Sequence, residues 1–202
     1  MKTFFELTSE EIYLICDYLT NPSSGENGKE GSANDRERRK RLYDIGIHKR
    51  TDKNESNNKF LTGPLGEGIV RIYYEKLKVS YDSSPENPSY TNRVGENKRL
   101  MPDGVIFGPP KIWVESKMRA YYSSGTANEK IPNVPRKYKP IGGKLILFLM
   151  ADDEHTFNKE WSQICRGDIE PLDEIEENWR KADTAVLEQI IYGTEVANIL
   201  AS

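Results

Sequence analysis

The chain has 202 residues, of which 36% are hydrophobic, and carries a formal net charge of −3 with a mean hydropathy of −0.72. That length suits one domain with a sizeable core, and the composition is too apolar for general disorder. No run approaches the roughly 18 apolar residues of a membrane span, the N-terminus Met1-Lys-Thr-Phe-Phe-Glu6 has no signal-peptide core, and Cys16 and Cys165 stand in no metal spacing, so a cytoplasmic, membrane-free protein with reduced thiols is expected.

Residues 4–20 carry Leu7, Ile12, Leu14, Ile15, Tyr18 and Leu19 behind Thr8-Ser9-Glu10-Glu11, which predicts a capped helix ending by Asn21-Pro22. Residues 22–34 read as a polar, glycine-rich loop. No strand precedes it and no Gly-Lys-Ser/Thr follows, which argues against a phosphate-cradling loop. A charged helix is expected to start at Asp35, and 50–58 is a second polar loop. From Pro64 onward, Leu65, Ile69, Ile72, Tyr73 and Leu77 follow a helical period, placing Glu67 and Glu75 on one helix. Residues 80–100 read as a polar connection, with Arg93, Lys98 and Arg99 close to a strand beginning near Leu100.

The most informative stretch is Met101-Pro-Asp-Gly-Val-Ile-Phe-Gly-Pro-Pro-Lys-Ile-Trp-Val-Glu-Ser-Lys117. It predicts two short strands joined at Gly108-Pro109-Pro110, with Asp103 at the head of the first. Alternation puts Glu115 and Lys117 on one face of the second strand, with Trp113, and Ile112 and Val114 on the other. Pairing of the strands would bring Asp103 back beside them. Two carboxylates and an ammonium on a sheet edge suit metal-dependent phosphodiester cleavage, because Mg²⁺ needs only a few carboxylates besides water and substrate phosphate. The backbone carbonyl of Ser116 is a further candidate ligand, and Lys117 would orient water or offset phosphate charge. The bland alternative is a surface salt bridge.

Beyond the hairpin, Pro132 and Pro135 forbid a long undisturbed helix, so one or two turns from Thr126 and then an irregular segment are expected. Lys144-Leu-Ile-Leu-Phe-Leu-Met150 reads as a strand buried on both faces. In the tail from Ile175 to Leu200, Ala182, Val186, Ile190 and Ile191 suggest one or two closing helices. His48 and His155 read as surface residues. The whole order predicts an α/β fold with a mixed central sheet flanked by helices.

Pro102-Asp103 followed by Glu115-Ser116-Lys117 resembles the signature of the PD-(D/E)xK, or restriction-endonuclease-like, nuclease superfamily. Gly125-Thr-Ala-Asn-Glu-Lys130 resembles a segment found after the hairpin in some small restriction enzymes. The resemblance covers about residues 63–150 and implies a restriction-endonuclease-like core there, within a single nuclease domain over 1–202 whose N-terminal region is 1–58. It further implies a Mg²⁺-dependent endonuclease with Asp103, Glu115 and Lys117 as catalytic residues. Its metal set would be Asp103, Glu115, Ser116 and a helix carboxylate, Glu67 or Glu75.

Despite the net negative charge, Lys130, Arg136, Lys137, Lys139 and Lys144 lie in a stretch without acids. These bases, apart from Lys144, are candidates for phosphate contacts, and Ser123, Ser124, Thr126 and Asn128 for base edges. The partner expected is double-stranded DNA, cut at a short palindromic site by a homodimer. No ATP-binding motif is present in the sequence. The alternatives are a repair or homing nuclease of the same fold, or a non-catalytic DNA-binding domain.

Overall fold

The computed structural model describes residues 1–21, 28–48, 62–91, 95–118, 133–150 and 186–202. The first helix, α1 (Ser9–Thr20), begins as expected. Thr8 Oγ accepts from the Glu11 N–H at 3.2 Å, and the Glu11 carboxylate accepts from the Thr8 N–H at 2.9 Å. These reciprocal bonds satisfy donors that a helix start leaves unpaired. The buried stripe of α1 is Ile15, Tyr18 and Leu19.

The second helix, α2, spans Gly28–Ile45, so residues 28–34 are helical rather than the expected loop. Leu42, Tyr43 and Ile45 are buried in the same core as α1. That packing outweighs the weak helix propensity of the glycine, serine and asparagine near the start. The third helix, α3 (Thr62–Lys76), buries Leu65, Ile69, Ile72 and Tyr73. Its Arg71 pairs with Glu75 and donates to the carbonyls of Lys2 at 2.6 Å and Ile47 at 2.9 Å, tying the N-terminus to the helix.

The remaining described elements are β1 (Tyr81–Asp82), β2 (Ser89–Thr91), β3 (Asn97–Arg99), β4 (Gly104–Ile106), β5 (Ile112–Met118), α4 (Asn133–Tyr138), β6 (Lys144–Met150), β7 (Leu187–Tyr192) and α5 (Gly193–Ala201). A five-stranded sheet runs β1-β4-β5-β6-β7, antiparallel as far as β5 and parallel from β5 to β7. The fold is therefore mixed α/β with helices on both faces of a mixed sheet.

Four expectations are corrected. Residues 80–100 are no bare connection, because they carry β1 and the separate antiparallel ribbon β2–β3. The first hairpin strand starts at Gly104, while Leu100 continues the ribbon by donating its N–H to Pro88 O at 3.0 Å. Residues 133–138 are helical rather than irregular, with Pro135 in the first turn, where its missing N–H costs nothing. The tail contributes β7 before its closing helix.

Alternation along β5 and β6 builds two cores. Val114, Ile146, Phe148 and Met150 face α1, α2, α3 and α5, while Trp113, Leu145, Leu147 and Leu149 face α4 with Val105 and Tyr138. β6 is buried on both faces, as its unbroken apolar run predicts. No helix among the described residues is long and apolar enough to cross a membrane.

Candidate active site

The pairing Gly104↔Val114 sets the register of the hairpin, so the next position back, Asp103, lies across from Glu115. Asp103 stands just before the first residue of β4, while β5 runs on past Glu115 to Met118. The side chain of Asp103 takes the place of the missing strand. Its Oδ2 accepts from the Ser116 backbone N–H at 2.6 Å and from Ser116 Oγ at 2.9 Å. A strand residue sends its N–H and C=O to the same edge, so the Ser116 carbonyl also faces the Asp103 side.

Glu115 leaves β5 on the face shared with Trp113 and α4. Its Oε1 pairs with Lys117 Nζ, and its Oε2 accepts from the Tyr138 hydroxyl at 2.5 Å. Glu115 is 8% exposed and Tyr138 1%, so this bond lies in the interior. Lys117 is 30% exposed at its side chain, which leaves the ammonium reachable from solvent.

Two glycines allow these approaches. The Tyr81 hydroxyl donates to Asp103 O at 3.1 Å, and its ring covers Gly104 so closely that a Cβ there would come within 2.1 Å of the Tyr81 hydroxyl oxygen. Gly66 lets α3 lie against β5: a Cβ on it would sit 2.9 Å from both Ser116 Oγ and Met118 Cγ.

The electrostatics follow from burial. Asp103 has its carboxyl pushed up to about 6, first by desolvation and then by the neighbouring Glu115 carboxylate; Lys117 and the two Ser116 bonds oppose that rise. Tyr138 and Tyr81 are both raised, chiefly by burial and then by Glu115 and Asp103 respectively, so each stays a protonated donor. A buried carboxyl repelled by a second carboxylate is a setting that a divalent cation relieves. Magnesium asks for one or two carboxylates and completes its shell with water and phosphate, so the pair, with the Ser116 carbonyl on the same edge, fits that ion.

The structure thus brings Asp103, Glu115, Ser116 and Lys117 together. Glu67, next to Gly66 on α3, has its Oε2 3.5 Å from His48 Nε2 and adds to the rise of the Tyr81 phenol that donates to Asp103 O; among the described residues no three His, Cys, Asp or Glu side chains converge as a metal nest. Glu75 is engaged elsewhere, by Arg71 and by the Phe4 N–H at 2.7 Å. His48 is half-buried, 19% exposed at its side chain, because the Ile47–His48 segment packs on α3 at Gly68.

Lys137 and Lys139 are exposed on either side of the inward-pointing Tyr138. Arg136 belongs to α4, with its side chain outside the described residues. Ser123, Ser124, Thr126, Asn128, Lys130, Cys165 and His155 also lie outside them.

Sequence reasoning did not find Tyr138, Tyr81, Gly66 or Gly104. The one available signal was a lone aromatic inside the basic run Arg136-Lys-Tyr-Lys139, which solvent exposure alone does not explain. Comparison of the chain with protein-family models, with curated proteins and with solved structures finds no match in any of the three.

Proposed function

We propose that this chain is a Mg²⁺-dependent endonuclease of double-stranded DNA, of the type II restriction kind, built on a restriction-endonuclease-like core within a single nuclease domain. The observation that carries this reading is the convergence of Asp103, Glu115 and Lys117 where β4 begins beside β5, with the Asp103 carboxyl pushed up to about 6. The topology supports it as well: a helix, then a hairpin with the aspartate heading one strand and Glu-x-Lys on the next.

Asp103, Glu115 and the Ser116 carbonyl would hold the ion. Mg²⁺ bound there supplies Lewis-acid polarisation of a phosphoryl oxygen and an acidified water. The chain's own residues do the rest. Ser116 fixes the Asp103 carboxylate through two bonds, and Tyr138 fixes Glu115. Lys117 presents a positive charge to the phosphate and holds or hands over a proton at its Nζ. Lys137 and Lys139 lie close in sequence to Tyr138 and suit phosphate contacts, with the 123–130 segment and Arg136 as further candidates. A palindromic target read by a two-fold dimer is the simplest geometry for such an enzyme.

The test is incubation of the purified chain with plasmid DNA in Mg²⁺ and in chelator. Discrete, reproducible fragments that need Mg²⁺ and disappear in Asp103→Asn are expected. Cutting confined to flaps or junctions would point to a repair nuclease, and no cutting at all would remove the catalytic reading.

A further inference from the structure

The ribbon β2–β3 stands outside the five-stranded sheet as a two-stranded sheet of its own. Ser89, Thr91 and every residue of β3 are exposed, and Tyr90 is half-buried. Two strands alone are at best marginally stable in water, and this pair has little apolar surface to bury. Its fixed point is the base. Leu100 closes the ladder onto Pro88 and packs into the core shared with Trp113 and Tyr138, while β2 packs on the 3₁₀ turn Lys139–Ile141.

Register sorts the ribbon's chemistry. Ser89 pairs with Arg99, Tyr90 with Lys98 and Thr91 with Asn97. Opposed residues share a face and successive residues alternate, so Ser89, Thr91, Asn97 and Arg99 occupy one face and Tyr90 and Lys98 the other. Glu96, which pairs with Lys98 at 2.9 Å, belongs by parity to the Tyr90 side. The first face is therefore polar, positively charged through Arg99 and without an acid within the two strands.

From this placement we infer that the β2–β3 ribbon is a reading element that enters the major groove of duplex DNA beside the cleavage site. This inference rests on the endonuclease reading for its partner. A major groove about 12 Å wide admits a two-stranded ribbon, and the side chains present match its base edges: Arg to guanine, Asn to adenine, Ser and Thr to either. Arg99 gives the reading face its positive charge, Lys98 on the other face is offset by Glu96, and Lys139 stands on the turn that supports β2. The distance is right as well. Asp103 lies four positions after Arg99, a span of at most about 14 Å, well inside one turn of about 34 Å of duplex.

The experiment uses the full chain and a randomised pool of short duplexes. Duplexes bound by the unaltered protein in Ca²⁺ are selected and sequenced. Binding of one selected and one unselected duplex is then measured for Asn97→Ala, Arg99→Ala and Arg99→Lys, with circular dichroism as the folding control. Each variant is expected to lose about 5- to 150-fold on the selected duplex, to relax preference at one base position, and to leave the unselected duplex within about 3-fold. Arg99→Lys keeps the charge but not the bidentate fork, so its loss marks base reading rather than charge.

Unchanged binding and preference in all three variants would overturn the ribbon's role while leaving the nuclease reading intact. Equal losses on both duplexes, enrichment of no sequence, or binding confined to single strands or RNA would overturn it too. If selected binding depends on Asn97 and Arg99 but no duplex is cut in Mg²⁺, the ribbon stands and the nuclease reading falls.

Discussion

Tyr138 donates its hydroxyl proton to Glu115 Oε2 at 2.5 Å across 23 residues of sequence, from a side chain buried beside Trp113. The bond holds one carboxylate oxygen and leaves the other, Oε1, paired with Lys117. Tyr138→Phe keeps the ring and leaves a buried oxygen without its donor. A hydrogen bond to a charged group contributes about 1.5–3 kcal/mol, and loss of a partner that orients a metal ligand costs about 10- to 100-fold in metal affinity or activity. The expected result is a lower midpoint in denaturant together with a cleavage rate that needs more Mg²⁺. Titration of cleavage against Mg²⁺ separates this from a merely structural effect, which would lower stability without moving the Mg²⁺ requirement.

Asp103 links stability to pH. Its carboxyl stands at about 6 in the fold against an ordinary 3.8, chiefly through burial and then through Glu115. Between those values the unfolded chain has released a proton that the folded chain keeps, so stability falls as pH rises through this window. The full penalty, on the order of 3 kcal/mol at most, is present above about pH 6 and absent at acid pH, where both states are protonated. Asp103→Asn cannot ionise and still offers the Ser116 N–H an acceptor. The variant should be about 1–3 kcal/mol more stable than the parent near neutral pH, indistinguishable near pH 3, and inactive. Denaturant unfolding at several pH values checks this; equal stability at neutral pH would show that the buried repulsion is absent.

Local signals in the chain were readable and distant ones were not. The cap of α1 lies within Thr8–Glu11, and the period of α3 and the alternation of β5 each fit inside one element, so these parts of the fold and the Asp103–Glu115–Lys117 set could be read directly. Strand β7 was misread because its i, i+4 step from Val186 to Ile190 satisfies an even period as well as a helical one, and only pairing with β6, remote in sequence, decides between them. Strand β1 is two residues long and exists through its ladder with β4. Tyr138 and Tyr81 reach the site across 23 and 22 residues, separations at which no periodicity operates.

Lys117 is partly exposed and paired only locally, so its removal should spare the fold. Lys117→Met is expected to lower cleavage by about 10²- to 10⁴-fold, the usual worth of a positioned proton donor or acceptor. Its charge also holds the Asp103 carboxyl down, against burial and Glu115. Without it Asp103 should titrate above about 6, which NMR titration of the metal-free protein detects. An unmoved Asp103 would mean that the ammonium does not face the carboxylate pair.

Gly66 offers a test from outside the catalytic set. A Cβ there meets Ser116 Oγ and Met118 Cγ at 2.9 Å, so Gly66→Ala forces either α3 away from β5 or the Ser116 hydroxyl out of its place. Rotating the hydroxyl is the cheaper response, and it breaks the 2.9 Å bond to Asp103 Oδ2. That bond favours the ionised carboxyl, so its loss raises Asp103 further. The expected outcome is a destabilisation of about 1–3 kcal/mol from overpacking, with the acid limb of the cleavage profile moved to higher pH. Ser116→Ala relieves the crowding but removes the same bond. Gly66→Ala and Ser116→Ala should therefore shift the pH profile alike, and the double variant should shift it no further than either alone. Additive shifts would place the effect of Gly66 somewhere other than the Ser116–Asp103 contact.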